Sequence, residues 1–393
     1  SQPAVSEWNR NRHAGNFATK GEFASYRNWS AQDTALAAWS WTTACAFAVA
    51  YGGALEDACW TAKSRLCQEN ISKKQTVCFW SFGRSAGIGP LSRSPKRPDN
   101  RPAAILVLTL FHYRTRMPEL PEVETMRRGI LGAVGGQIAE VVRCPCPRKG
   151  IRVEPAWPRL QKALVGRTVL AIDRLGKRVV VRLDNAHSLV FEPRMTGLVL
   201  VSDPPSVEHL RFEMRLKGSR LTHVWYWDRR GLGSVRLLPN EQLADELGPD
   251  RLGPDALTIG FEEFHERLSR TKRPIKVALL DQRLLAGIGN LYAAEVLHVA
   301  AIDPRKPCPR VTREQWRRLH AAVLEVLEEA VRYEGSTLSD GTYRNALNEA
   351  GGYQNHHRVY DREDAACPRC RTSKIRRIVQ AQRSTFFCDK CQK

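Results

Sequence analysis

From residue 118 onward the apolar positions fall into regular periods; before it they do not. Between Glu119 and Val134, the residues Val123, Met126, Ile130, Leu131 and Val134 recur at the spacing of one helix face. Leu210, Phe212, Met214 and Leu216 alternate with Arg211, Glu213 and Arg215, a period of two that predicts a half-buried strand. Val179–Val181 and Leu198–Val201 are unbroken apolar runs and predict buried strands. Turn residues separate these runs, so a β-sandwich or barrel is expected, flanked by the opening helix. After Gly248-Pro249 the pattern turns helical, over 261–268, 275–280, 291–299 and 313–333. In the last of these Trp316, Leu319, Val323, Leu327 and Ala330 form one stripe, which reads as a core face. The fold class expected is α+β, in several domains.

Residues 1–116 hold six of the ten tryptophans but show no sustained period. Ser92-Arg93-Ser94-Pro95-Lys96-Arg97-Pro98 reads as a linker. Cys45, Cys59, Cys67 and Cys78 are too unevenly spaced for a familiar zinc pattern. This stretch is expected to lack a fold of its own, as upstream sequence joined by a misplaced start would. Met117-Pro118-Glu119-Leu120-Pro121-Glu122-Val123-Glu124-Thr125 then reads like an N-terminus. If Pro118 is first, its nitrogen is a free secondary amine; if it is internal, that nitrogen is an amide.

The length of 393 residues allows two or three domains. A formal net charge of +20 changes the picture more, because it points to a polyanionic partner. Nucleic acid is the simplest, although a ribosome or an acidic membrane surface would give the same signal. No apolar run approaches the roughly 18 residues that a membrane-spanning helix needs.

Cys367-Pro368-Arg369-Cys370 and Cys388-Asp389-Lys390-Cys391 enclose 17 residues. Two such pairs can place four thiolates around one structural zinc ion, with a hairpin between them. Lys374, Arg376, Arg377 and Arg383 on that hairpin suit phosphate contact, or simply face solvent. Leu285-Ala286-Gly287-Ile288-Gly289-Asn290 reads as a tight turn in which Asn290 caps a helix beginning at Leu291. Its outward N–H groups would suit a phosphate, or make an ordinary capped turn. An α-amino group titrates near 7.7–8.0, against about 10.4 for lysine, so a terminal Pro118 would be a nucleophile at neutral pH. Its iminium adduct with a sugar carbon could not lose charge by deprotonating nitrogen, and adjacent Glu119 could move protons.

The Pro118–Thr125 segment, the Gly287-Ile288-Gly289-Asn290 turn and the four-cysteine tail resemble, in that order, the formamidopyrimidine-DNA glycosylases. These are bacterial-type repair enzymes that remove oxidised purines such as 8-oxoguanine. The resemblance covers 117–393. It implies a β-sandwich catalytic domain over 117–250, a helix–two-turn–helix domain over 251–362 and a zinc finger over 363–393. It also implies one structural zinc, and action as a monomer on damaged double-stranded DNA in the cytoplasm, at the bacterial nucleoid. Pro118 would be the Schiff-base nucleophile and Glu119 the proton donor. Lys177 would assist β-elimination, and Arg383 would assist δ-elimination. His209, Lys272 and Asn290 would contact the DNA backbone. Met195 would fill the gap left by the flipped base, and Arg230 would face the orphaned cytosine. Leu232 stands where the family has an aromatic wedge, and Ser339 where a basic residue is usual. The sister family that prefers oxidised pyrimidines usually has glycine at the position of Leu120. A non-catalytic zinc-finger protein that binds DNA is the reading from another class.

Overall fold

The computed structural model describes residues 117–393. The readings made for residues 1–116, the linker and the four upstream cysteines among them, lie outside the described residues. The described chain opens with α1 (Leu120–Gly129), and a 3-10 turn at Leu131–Ala133 takes up the rest of the apolar pattern. Pro121 is tolerated because the first turn of a helix has no intrahelical use for its N–H.

Then follow β1 (Gln137–Arg143), β2 (Arg152–Glu154), α2 (Trp157–Leu164), β3 (Val169–Leu175), β4 (Arg178–Leu183), β5 (His187–Glu192) and β6 (Gly197–Leu200). β7 (Leu210–Lys217), β8 (His223–Asp228), β9 (Ser234–Pro239) and α3 (Asn240–Leu247) complete the first lobe. The strands form two sheets, ordered β1-β7-β8-β6 and β2-β9-β5-β4-β3. Val123 and Met126 of α1, with Ile130 just after it, join Phe191, Phe212 and Tyr226 in the core of this lobe. This is the expected sandwich. The strict alternation in β7 breaks at Arg211, which is buried rather than outward. A register shift between Leu210 and Phe212 turns it inward, and its guanidinium donates twice to the Asp228 carbonyl, at 2.9 and 2.7 Å.

The second lobe holds α4 (Phe261–Ser269), α5 (Ile275–Leu279), α6 (Asn290–Val299) and α7 (Arg313–Arg332). A reciprocal Thr312–Gln315 capping box starts α7, whose Trp316 stripe is buried as its spacing predicts. The chain closes with a hairpin, β10 (Arg376–Gln380) and β11 (Arg383–Phe387), whose turn residues Ala381 and Gln382 both have positive φ. Cys367, Ile375, Phe386 and Cys388 share one apolar core with the helices, so the tail is continuous with the helical lobe.

α1 serves both lobes. Leu120 lies in the helical core while Val123 and Met126 lie in the sandwich core. Arg174 of β3 bridges the same boundary, donating to Glu124 at 3.1 Å and to Asp255 at 2.9 Å.

Candidate active site and metal centre

One pocket gathers residues that are far apart in sequence. Its lining includes Pro118, Glu119, Glu122, Lys177, Met195, Asn290, Ser336, Asp340 and Arg383. Of the residues singled out from sequence, Pro118, Glu119, Lys177, Met195, Asn290 and Arg383 therefore meet. His209, Arg230, Leu232 and Lys272 lie outside this lining.

Glu119 is held by another element. Its carboxylate accepts backbone N–H bonds from Gly289 at 2.7 Å, Leu291 at 3.0 Å and Tyr292 at 3.3 Å. These are orphan donors at the start of α6, where the helix dipole favours an anion. A Cβ on Gly289 would come within 2.2 Å of the Glu119 carboxyl carbon, so only glycine fits there. This corrects the sequence reading of the turn. The helix starts at Asn290, not Leu291, with Gly289 at the cap position. The N–H groups, suited by sequence either to a phosphate or to an ordinary capped turn, are taken by the Glu119 carboxylate, 170 residues from Gly289. The Asn290 side chain turns elsewhere, accepting from Lys276 Nζ at 2.7 Å and donating to the Ser384 carbonyl at 3.0 Å.

Lys276 is the residue that sequence reasoning missed. It is fully buried, and its Nζ also donates to the Ser384 carbonyl at 3.0 Å and to Thr385 Oγ1 at 2.7 Å. It thus joins α5, the start of α6 and the tail hairpin. Burial, reinforced by the Arg383 charge, pushes its amine down to about 7. The available signal was a lysine inside the apolar run Ile275–Leu280, where periodicity calls for a core residue. Lys272, four residues earlier, is exposed. Lys177 follows the tight turn at Gly176 into β4; burial lowers its pKa and Arg383 adds to this, against the pull of Glu119.

Glu122 backs the site. It accepts from the Glu119 amide at 2.9 Å, the Tyr292 hydroxyl at 2.6 Å and the Ser336 amide at 2.9 Å. Burial and the Glu119 carboxylate push it up to about 7, although these three donors pull the other way. A carboxyl raised in the folded state contributes most stability below its unfolded value of 4.5, and that contribution is lost as pH rises through about 7. The loss amounts to roughly 3 kcal/mol at most. Urea unfolding at pH 5 and pH 8 should show it, and Glu122→Gln should flatten the difference. An equal pH dependence in the two proteins would exclude Glu122 as its source.

On the sandwich rim, the Asp228 carboxylate accepts from the Arg230 amide at 3.1 Å, the Gly233 amide at 2.8 Å and the Thr196 hydroxyl. This buried carboxylate shapes the loop that carries Arg230 and half-buried Leu232. Arg230 reaches Met195, Nη1 to Sδ 3.4 Å. His209 packs edge-on against Trp227 and meets Glu208 at 3.1 Å.

The sulfur atoms of Cys367, Cys370, Cys388 and Cys391 all lie within 4.8 Å of one another. Cys367–Cys391 and Cys370–Cys388 are each 3.8 Å apart. A tetrahedron with Zn–S arms of about 2.3 Å has edges of about 3.8 Å, so the donor set fits one zinc ion in a closed, structural site.

Comparison with known proteins matches three family descriptions to these parts. They are the formamidopyrimidine-DNA glycosylase N-terminal domain over 117–235, the formamidopyrimidine-DNA glycosylase H2TH domain over 247–342, and the zinc finger found in FPG and IleRS over 366–393. The formamidopyrimidine-DNA glycosylase of Chloroflexus aggregans is 40% identical over 282 residues, which cover 70% of this chain and 98% of the relative. The crystal structure of the MutM (Fpg) protein of Thermus thermophilus superposes with a TM-score of 0.61 at 38% identity, over 70% of this chain and 98% of that one. A Lactococcus lactis FPG mutant in complex with DNA containing Fapy-dG gives a TM-score of 0.62 at 31% identity, over 70% of this chain and all of that one. With the sandwich, the helical lobe and the four-cysteine tail matched in order, the chain belongs to the formamidopyrimidine-DNA glycosylase family.

Proposed function

We propose that this protein excises oxidised purines, 8-oxoguanine and formamidopyrimidines, from duplex DNA and then cuts the strand by β,δ-elimination as an AP lyase. The observation that carries the reading is the pocket itself. It holds a proline nitrogen, a carboxylate fixed by three amides, a lysine with lowered pKa and an arginine on the zinc hairpin. The bound lesion in the Lactococcus structure supports the substrate class.

Each residue then has a role. The Pro118 amine attacks C1′ of the damaged nucleotide, and the bond to the base breaks. The Glu119 carboxylate takes the proton that the attacking amine sheds and delivers it to the ring oxygen as the sugar opens, leaving an iminium between Pro118 nitrogen and C1′. That electron sink acidifies the C2′ proton. Its removal expels the 3′ phosphate, and a second elimination expels the 5′ phosphate. Lys177 assists the first elimination. Arg383 assists the second and binds phosphate. Met195, Arg230 and Leu232 hold the duplex opened by base flipping, and His209, Lys272 and Asn290 steady the backbone. Lys276 contributes by fixing Asn290 against the hairpin. Bound zinc supplies structural support to that hairpin and takes no part in the chemistry.

We divide the described chain into lobes at about residues 250 and 362, and place the enzyme at the chromosome as a monomer. No described helix is long and apolar enough to cross a membrane. Borohydride reduction tests the reaction. A chain beginning at Pro118 should form a stable covalent complex with an 8-oxoguanine duplex, and Pro118→Gly should reduce its yield. Failure to trap any oxidised-purine duplex would remove the lyase reading.

A further inference from the structure

α6 begins at the catalytic carboxylate and ends beneath the zinc knuckle. In its last turn sits His298, 2% exposed, with Nε2 3.5 Å from Cys367 Sγ. Its Nδ1 is buried without a hydrogen-bond partner. The ring thus has one polar contact among the described residues, and that contact is a zinc ligand. His298 stands outside the four-sulfur set, so it addresses the metal through Cys367. A zinc-bound cysteine has given up its proton and can only accept a hydrogen bond. Between these two atoms the donor must be Nε2–H. A phenylalanine would fill an apolar pocket here without burying an unpaired ring nitrogen, which costs stability. The side chain is therefore explained by its Nε2. A second tie runs beside it, from Arg369 in the knuckle to the Val299 carbonyl at 2.8 Å.

We propose that His298 is a positioning residue of the zinc site, donating Nε2–H to the Cys367 thiolate and thereby slowing metal loss and fixing the finger to the end of α6. The proposal rests on the four cysteines holding zinc. Outer-shell donors of this kind typically contribute 10–100-fold to metal affinity.

The test uses the full 1–393 chain, first with Co(II) in place of zinc and then with zinc under a chelator. In His298→Phe the thiolate loses a donor and gives up electrons more readily. The sulfur-to-Co(II) charge-transfer band should move to longer wavelength, and zinc should leave about 10-fold faster. His298→Gln returns an N–H at similar reach and should recover most of both effects. A band and release rate unchanged in His298→Phe would overturn the proposal. So would equal, fast release from the phenylalanine and glutamine variants, since that pattern reports packing alone. A wild-type chain that takes up neither metal would instead remove the zinc reading itself.

Discussion

A chain beginning at Pro118 is expected to nick an 8-oxoguanine duplex, whereas the intact 1–393 chain is expected to bind that duplex without nicking it. In the long chain the Pro118 nitrogen is bonded to the Met117 carbonyl carbon. Resonance gives that C–N bond partial double-bond character and removes the lone pair that attack requires. An iminium at an acylated nitrogen would need one bond too many. Glu119, Lys177 and Arg383 would still line the pocket, but they would have no covalent intermediate to work on. Loss of a covalent nucleophile commonly costs on the order of 10³-fold or more in rate, so the contrast should be close to all or none. Cleavage between exposed Met117 and buried Pro118 would convert one form into the other. The measurement is strand scission by the two purified forms, each N-terminus verified by mass. Full scission by a verified intact long chain would overturn both this expectation and the assignment of Pro118 as nucleophile.

The second large effect is expected at the metal. Cys388 is fully buried and belongs to the core shared by the finger and the helices. Cys388→Ser should abolish zinc binding, because one closed tetrahedron becomes three thiolates and a poor ligand. Structural zinc is worth on the order of 10 kcal/mol to a small finger, far more than this hairpin can replace by packing. Arg383 would lose its placement, and Lys276 and Asn290 would lose their Ser384 and Thr385 partners. DNA affinity should fall, because the basic residues of the hairpin lose the placement that phosphate contact requires. The sandwich should still melt cooperatively, since its core holds no residue of the tail. Metal analysis, binding anisotropy and thermal melting check the three parts. Wild-type affinity in a zinc-free variant would show that the finger does not position the DNA contacts.

Much of this fold was legible because period and spacing are local signals. The Trp316 stripe, the runs in β4 and β6 and the two cysteine pairs needed no knowledge of distant neighbours. The helices α2 and α3 were not foreseen. Each is only eight residues long, and Pro158 and Pro239 at their starts read more naturally as breaks. The site was half legible. Its motif residues could be named, but their partners could not. Asn290 looked like a cap because asparagine is a good one; Gly289 takes the cap position, and the amides there are satisfied by Glu119, 170 residues before Gly289. Lys276 and Arg211 sit where periodicity allows only apolar residues or exposure, and each is rescued by acceptors distant in sequence. Polar groups buried by tertiary partners leave no periodic trace.

The seating of Glu119 on the start of α6 has a kinetic consequence. Glu119 precedes a helix whose Val123 and Met126 lie in the sandwich core, while its three amide donors open α6 of the helical lobe, so the carboxylate stays seated only while α1 and α6 stay together. On the proposed reaction, a movement that parted the two helices would leave this carboxyl group without its anchor, and the rate of any step that uses it would depend on that one contact being made.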